Sequence, residues 1–314
     1  MMKALNWITK DTTFNFMKLR KLTNALSIAA VILSIACIAI KGFNYGIDFS
    51  GGILIEIKSE QKINVEELRT KLSTLELDEV NIQSIGEIGD EVMIRTLAKN
   101  MNEKEQMNTV NQIKNLLKDE QFEFRRVELV GPQVGDELKK DGIVASVIAV
   151  LALSLYIWVR FEWQFAIGTL VGLVHDLIIT CGLLSLFGMD FTLTTMASIL
   201  ALAGYTINDK VVTYDRIREN LRKFKKMPQI DLFNKSLNDI LSRTLLTGIT
   251  TLFASGALLI FGGDSLRSFA FVITFGIIIG TYSSLYIGTS FLNLFDMKDA
   301  FEEKKVNPFG HVDS

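Results

Sequence analysis

Six apolar segments, each long enough to cross a lipid bilayer, constrain this 314-residue chain more than any other feature of its sequence. A membrane-spanning helix needs about 20 mostly apolar residues. The first segment is longer than the apolar core of a signal peptide, and no small-residue cleavage site follows it. We therefore expect an α-helical polytopic membrane protein whose first span is retained. The six expected spans are 22–41, 143–159, 165–187, 191–212, 245–261 and 269–295.

The distribution of Lys and Arg predicts the orientation of these spans. Basic residues are concentrated in segments that six spans would place on one side: 1–21, 213–241 and 296–314. The loops 188–190 and 262–267 hold no basic residue and one basic residue, respectively. Because short basic loops stay in the cytoplasm, we expect both termini on the cytoplasmic side of the membrane. Residues 42–138 then lie on the opposite side.

The long segment 42–138 is predicted to form a small domain, since a loop of that length would be unusual. It carries 19 acidic and 11 basic residues. Alternating Ile53, Ile55 and Ile57 predict a strand, and helical and strand-like patterns follow, with Gly86 and Gly89 at an expected hairpin turn. The resulting β-α-β-β-α-β order is the split βαβ, or ferredoxin-like, arrangement. Two helices would cover one sheet face and leave the other open for a partner.

Composition and motifs exclude several classes of function. The formal net charge of −2 offers no basic surface for nucleic acid. The segment 42–138 has no His and no Cys, which argues against a zinc or thiol site there. The chain has no phosphate-binding loop, no H-E-x-x-H and no G-x-S-x-G motif. We therefore expect no enzyme activity, no cofactor and no metal.

Ionisable residues inside the expected spans are the candidate functional residues, because such groups are costly in a bilayer and usually mark function. His175 and Asp176 lie near the middle of the third span, Asp209 and Lys210 near the inner end of the fourth, and Arg243 at the start of the fifth. Spans four and five run antiparallel, so an Asp209–Arg243 ion pair is geometrically possible. A carboxylate in a low-dielectric site can take up and release a proton, which predicts a proton relay.

A structural interpretation of the same residues stays open. Asp209, Lys210 and Arg243 could be interfacial groups whose charged ends reach the lipid headgroups. For Lys210 we favour this interpretation, whereas for Asp209 and Arg243 we favour the functional one. Asp176 could hold neighbouring helices together through buried hydrogen bonds, and His175 could be a packed polar residue.

Glycines at four-residue spacing predict close approach of helices within the membrane. One pair, Gly168 and Gly172, lies in the third span, and the other, Gly276 and Gly280, lies in the sixth. Small residues at this spacing let two backbones pack closely.

Two glycine-rich segments, NYGIDFSGG at 44–52 and GPQVG at 131–135, resemble the signatures of the SecD/SecF family of export proteins. The residues that match these signatures are Gly46, Asp48, Phe49, Gly51, Gly52, Gly131, Pro132, Val134 and Gly135. Further motifs resemble the SecF branch of this family, as does the single six-span unit. They are VHD at 174–176, ND at 208–209, DRIREN at 215–220, SRT at 242–244 and FGG at 261–263.

This resemblance implies an accessory subunit of the Sec translocase that acts with SecD and uses the proton gradient. It also implies a location in the bacterial inner membrane, with residues 42–138 in the periplasm. The complex would help preproteins leave the SecYEG channel, and YajC and YidC would be further partners. The resemblance also implies that Asp209 and Arg243 carry the proton coupling, with Asp176 as a further carboxylate. Two alternatives stay open: a proton-coupled half-unit of a small-molecule exporter of the resistance-nodulation-division type, and a membrane scaffold without proton chemistry.

Overall fold

A computed structural model of the chain describes residues 12–75, 77, 80–85, 89–97, 101–118 and 122–297. Residues 1–11 of the expected N-terminal segment, Gly86 of the expected hairpin, and 298–314 of the expected tail lie outside the described residues. The described helices are α1 (Arg20–Lys41), α2 (Ile47–Ser50), α3 (Val65–Leu72), α4 (Glu103–Leu116), α5 (Pro132–Arg160), α6 (Trp163–Phe187), α7 (Leu193–Lys223), α8 (Gln229–Phe261), α9 (Asp264–Leu285) and α10 (Ile287–Leu292). The described strands are β1 (Asn44–Tyr45), β2 (Gly52–Lys58), β3 (Val80–Ile85), β4 (Glu91–Thr96), β5 (Glu123–Val130) and β6 (Asp190–Phe191).

Five helices of the described chain, rather than the expected six, are long and apolar enough to cross a membrane. They are α1, α5, α6, α8 and the segment Asp264–Leu292, which joins α9 and α10. The expected fourth span lies in α7, which has 31 residues but is not among these five. Its polar residues, including Asp209 and Lys210, are buried against other helices. A helix surrounded by protein can therefore be less apolar than one that faces lipid.

Helix α7 packs against α6, α8 and α9 in the middle of the membrane bundle. The two glycines of α9 face α7, where Leu202 occupies the space beside Gly276 and Thr206 the space beside Gly280. In α6, the missing side chain of Gly168 leaves room for the Tyr214 hydroxyl of α7. The glycine pairs thus allow both α6 and α9 to approach α7 closely.

The domain between α1 and α5 follows the predicted β-α-β-β-α-β order and forms one four-stranded sheet. It is called the outer domain below, and the end of the bundle beside it is called the outer end. The strand order is β3-β4-β2-β5, and every pair of neighbouring strands is antiparallel. The alternating residues Ile53, Ile55 and Ile57 of β2 are fully buried in one core. The same core includes Leu68 of α3 and Ile113 of α4, so both helices cover the same sheet face.

The second face of this sheet is not open, as the sequence analysis expected, but lies against the loops of the membrane bundle. Arg95 of β4 forms a 3.0 Å ion pair with Asp190 in the loop between α6 and α7. Arg126 of β5 donates a 2.9 Å hydrogen bond to Ser265 at the start of α9. The expectation failed because these partners are far apart in sequence, and the alternating pattern of a strand does not reveal what its polar face contacts.

Candidate functional site

A fully buried ion pair joins the two central helices of the bundle. Lys210 Nζ of α7 lies 2.6 Å from Asp176 Oδ2 of α6, and both side chains have 0% exposure. The stem of Lys210 crosses α6 at Gly172, where a side-chain carbon would overlap with Lys210 Cε. The interpretation of Lys210 as an interfacial group is therefore wrong. Successive residues of a helix are turned by about 100°, so Lys210 faces α6 while its neighbour Asp209 points elsewhere.

His175 completes this buried cluster from the same helix as Asp176. Its Nδ1 lies 2.9 Å from Asp176 Oδ1, so an ionised Asp176 accepts one hydrogen bond from His175 and another from Lys210, each on a different oxygen. The His175 Nε2 atom is buried and has no hydrogen-bond partner among the described residues.

Asp209 occupies a separate buried site one residue before Lys210. Its side chain is 6% exposed, and its Oδ2 atom accepts no hydrogen bond within the described part of the chain. The positive charges of Lys210 and Arg243 both act on this carboxylate. Asp209 is thus a buried acid with a free acceptor oxygen close to two cations.

Arg243 is exposed and lies near the middle of α8. Among the described residues, no ion pair joins Arg243 to Asp209, although its charge acts on that carboxylate across the gap between α7 and α8. The structure therefore brings the two predicted residues near one another without direct contact.

The two glycine-rich segments pack against each other at the outer end of the bundle. Gly51 adopts a left-handed backbone with φ of +65°, and a side-chain carbon on it would lie 2.8 Å from Pro132 Cα. A side-chain carbon on Gly135 would in turn lie 2.9 Å from the Gly51 nitrogen. Only glycine combines this conformation with such a close approach. The two segments thereby connect β2 of the outer domain to the first turn of α5.

Asp48, in the first of these segments, binds the outer end of the helix that carries Asp209 and Lys210. Its Oδ2 atom accepts a 2.9 Å hydrogen bond from the backbone nitrogen of Leu193, the first residue of α7. Beside this contact, β1 pairs in parallel with β6, with Asn44 opposite Asp190. An acidic side chain at a helix N-terminus satisfies a free N–H group and favours the positive end of the helix dipole. The segment therefore contacts α7 directly.

Sequence reasoning did not find the contacts of Asp48, Arg95 and Asp190 that connect the outer domain to the bundle. Asp190 holds two of these contacts, since its Oδ1 atom also accepts a 2.6 Å hydrogen bond from Asn44 Nδ2. One weak indication of a role for Asp190 was present in the sequence, since it is the only charged residue of the loop 188–190. Its partners lie 95 and 146 positions away in the sequence, and no local pattern identifies them.

Comparison with models of known protein families identifies the family of this chain. The model described as "Protein export membrane protein SecD/SecF, C-terminal" matches residues 109–298, and the "SecD/SecF GG Motif" model matches residues 38–63. The chain belongs to the SecD/SecF family. The GG-motif match contains Asp48, Gly51 and Gly52, and the longer match contains the second glycine-rich segment and the residues His175, Asp176, Asp209 and Lys210.

Among SecD/SecF relatives, the similar curated proteins are named "Protein translocase subunit SecF". Those of Rickettsia rickettsii and Rickettsia felis are each 44% identical over 294 residues, which cover 93% of this chain and 94% of each relative. That of Rickettsia bellii is 43% identical and covers 94% of this chain and 97% of the relative. The similarity therefore extends over almost the full length of both chains.

Two solved SecDF structures resemble the fold. The crystal structure of SecDF from Thermus thermophilus, described as a translocon-associated membrane protein, is 33% identical with a TM-score of 0.82, and the match covers 91% of this chain. SecDF in a super-membrane-facing form is 32% identical with a TM-score of 0.70 and a coverage of 96%. This chain spans only 39% and 41% of those two SecDF chains, respectively.

Proposed function

We propose that the chain is an accessory subunit of the Sec protein-export translocase and acts in the inner membrane as a heteromer with SecD. Support comes from membership of the SecD/SecF family and from the SecF relatives, which the chain matches over nearly their whole length. The SecDF chains are more than twice as long as the part matched here, which supports SecD as the partner that corresponds to the rest of those chains. SecYEG, YajC and YidC are the further partners of the proposed complex.

The proposed topology has six spans, with α7 as the fourth, and both termini in the cytoplasm. The basic segment 213–241 and the nearly uncharged loop 188–190 support this orientation. The outer domain would be a periplasmic ferredoxin-like unit, supported by the antiparallel strand order β3-β4-β2-β5 and by two helices on one face. Labelling of single cysteines at positions 188 and 226 with a membrane-impermeant thiol reagent tests this topology, because only the first should react in intact cells.

The proposed activity couples proton movement to export through Asp209. The observation that carries it is the buried Asp209 Oδ2, which has no donor among the described groups and can bind a proton without breaking a hydrogen bond. The neighbouring Asp176 differs, since both of its oxygens already accept hydrogen bonds from cationic or ring nitrogens. We therefore place proton uptake at Asp209 and assign Asp176 the role of fixing Lys210.

Protonation of Asp209 would remove the negative charge that attracts Lys210 and Arg243. Since Lys210 is fixed by its ion pair with Asp176, the attraction across the gap to Arg243 on α8 is the one that can change the packing of the helices. The equilibrium between two positions of α7 and α8 would then depend on proton binding. The outer end of α7 is bonded to Asp48, so such a movement would reach the periplasmic side.

Replacing Asp209 with Asn tests this function, because Asn has nearly the same shape but cannot ionise. In vesicles that contain SecD and the translocon, Asp209→Asn should abolish the gradient-dependent part of preprotein release and leave complex assembly intact. Asn208→Ala is the matched control on the exposed neighbouring position and should behave as wild type. Full gradient-dependent release by Asp209→Asn would refute proton coupling at this residue.

One further variant and two assays separate the remaining possibilities. Arg243→Ala should reduce gradient-dependent release as Asp209→Asn does, whereas a membrane scaffold would be unaffected by either change. Co-purification with SecD and SecYEG supports the export subunit. Transport of a solute by the purified chain alone in vesicles would instead favour the half-exporter of the resistance-nodulation-division type.

A further inference from the structure

An apolar groove lies on the outside of the bundle between α1, α6 and α10. Its volume is about 430 Å³, within the range of about 300–1,000 Å³ typical of small-molecule sites. Its walls include Ile28 and Ile32 of α1, Val174 of α6 and Phe291 of α10. Ile28 and Ile32 are 62% and 60% exposed, so the groove opens sideways into the lipid phase rather than toward water.

The polar side chains of α1 at this groove are occupied by contacts within the bundle. Asn24 donates a 2.7 Å hydrogen bond to Ser290, and the hydroxyls of Ser27 and Tyr282 lie 3.0 Å apart. These groups are therefore not available to a polar ligand. The remaining α1 wall is aliphatic and suits a hydrocarbon chain.

The groove has the length of one membrane leaflet. From Asn24 to Ile32 the α1 wall advances about 12 Å at ~1.5 Å per residue, close to half of the ~30 Å hydrocarbon core. A partner helix that crossed the whole membrane would need a groove about twice as long. The dimensions thus favour a lipid tail over a transmembrane helix.

Two basic residues extend the groove wall toward the cytoplasmic side. Arg20 and Lys21 precede Asn24 by four and three positions, so they lie on the same face of α1. Neither residue forms an ion pair with another described residue, and Lys21 is exposed. Their charges lie where the headgroup of an inner-leaflet lipid would be.

We propose that this groove binds an anionic phospholipid of the inner leaflet, with one acyl chain between α1 and α6 and its phosphate at Arg20 and Lys21. The bound lipid would seal the side of α6 that carries His175, which lines the floor of the groove. The lipid is a bound component of the resting protein and takes no part in proton binding at Asp209.

Native mass spectrometry of the full chain, co-purified with SecD in detergent, tests this site with phosphatidylglycerol and phosphatidylcholine as probes. Wild type should retain one phosphatidylglycerol in preference to phosphatidylcholine. The double variant Arg20→Gln/Lys21→Gln should lower the affinity for phosphatidylglycerol on the order of 20-fold, because it removes two positive charges that attract the anionic headgroup. Val174→Trp should fill the groove and release both lipids.

Matched controls and a second variant keep the result interpretable. Lys225→Gln/Lys226→Gln removes two cytoplasmic charges elsewhere, and Leu151→Trp adds bulk to the exposed face of α5; both should retain lipid as wild type does. Ile28→Trp fills the groove from the opposite wall if Val174→Trp unfolds. Equal lipid retention by wild type and both groove variants would overturn the proposal. Loss of SecD with unchanged lipid would also overturn it, since the groove would then hold a protein helix.

Discussion

The buried pair between Lys210 and Asp176 provides the strongest single test of the bundle. Replacing Lys210 with Met keeps an unbranched apolar stem that ends near the position of Lys210 Cε, and it removes the charge and the three N–H donors. Asp176 would then be left at 0% exposure with one oxygen unpaired and only His175 as a donor. The expected result is a large loss of stability without loss of apolar packing.

The magnitude follows from the burial and the short contact. The two charged atoms are 2.6 Å apart and neither side chain reaches solvent. Removing one partner of such a pair typically costs about 3–5 kcal/mol, because the other charge stays buried without compensation. Removing both partners costs far less, so Lys210→Met combined with Asp176→Asn should recover most of the lost stability.

A double-mutant cycle on detergent-solubilised protein measures this coupling from the free energy of unfolding of the wild type, the two single variants and the double variant. Lys226→Met is the control for loss of a lysine outside the bundle core and should change stability by less than about 0.5 kcal/mol. Additive effects of the two substitutions, within about 0.5 kcal/mol, would refute the direct contact between Lys210 and Asp176.

Three further predictions concern other contacts of the structure. Asp48→Ala should cost about 1 kcal/mol by removing the cap at Leu193, and hydrogen exchange should show faster exchange confined to the first turn of α7; unchanged exchange there would contradict the cap. Gly172→Ala should cost about 1–3 kcal/mol through overlap with the lysine stem, whereas Gly256→Ala, with open space around it, should be neutral or stabilising in thermal unfolding. Burial raises the pKa of Glu56 above its ordinary value of 4.5, against the opposing charge of Arg126. Because the folded state then holds this proton more tightly than the unfolded state, the contribution of Glu56 to stability should fall as pH rises from 4.5 through its raised pKa. Glu56→Gln should lack this contribution when unfolding midpoints are compared at pH 4 and pH 7, and an identical pH profile would contradict it.

Local patterns in the sequence were sufficient to place most helices and strands. Alternation in Ile53–Ile57 located β2, and continuous apolar runs located five of the membrane helices. The same patterns located the span 191–212 at α7, but they did not show which side chains of other helices contact its polar residues. Lys210 illustrates the limit, since its partner Asp176 lies 34 positions away and the sequence does not show that they face each other.

The sequence revealed the candidate site because ionisable residues inside a membrane span are costly and therefore stand out. The division of this site into two parts depends on helix geometry. Asp209 and Lys210 are adjacent, and from the sequence we placed Asp209 in the proton site and Lys210 at the membrane interface. In the structure Lys210 belongs to the pair with Asp176, while Asp209 keeps a free oxygen near Arg243. The residue that takes up a proton in our proposal is therefore the one that the buried pair leaves without a hydrogen bond.

The contacts of α7 also restrict how a charge change at Asp209 can be transmitted. The helix is bonded to α6 through Lys210 and to the signature segment through Asp48. If these bonds persist, movement of α7 carries both α6 and the segment that leads into β2. If the signature segment were only a flexible linker, Asp48→Ala would leave gradient-dependent release unchanged. We expect instead that it lowers that release while preserving proton binding at Asp209, since the cap lies at the opposite end of α7.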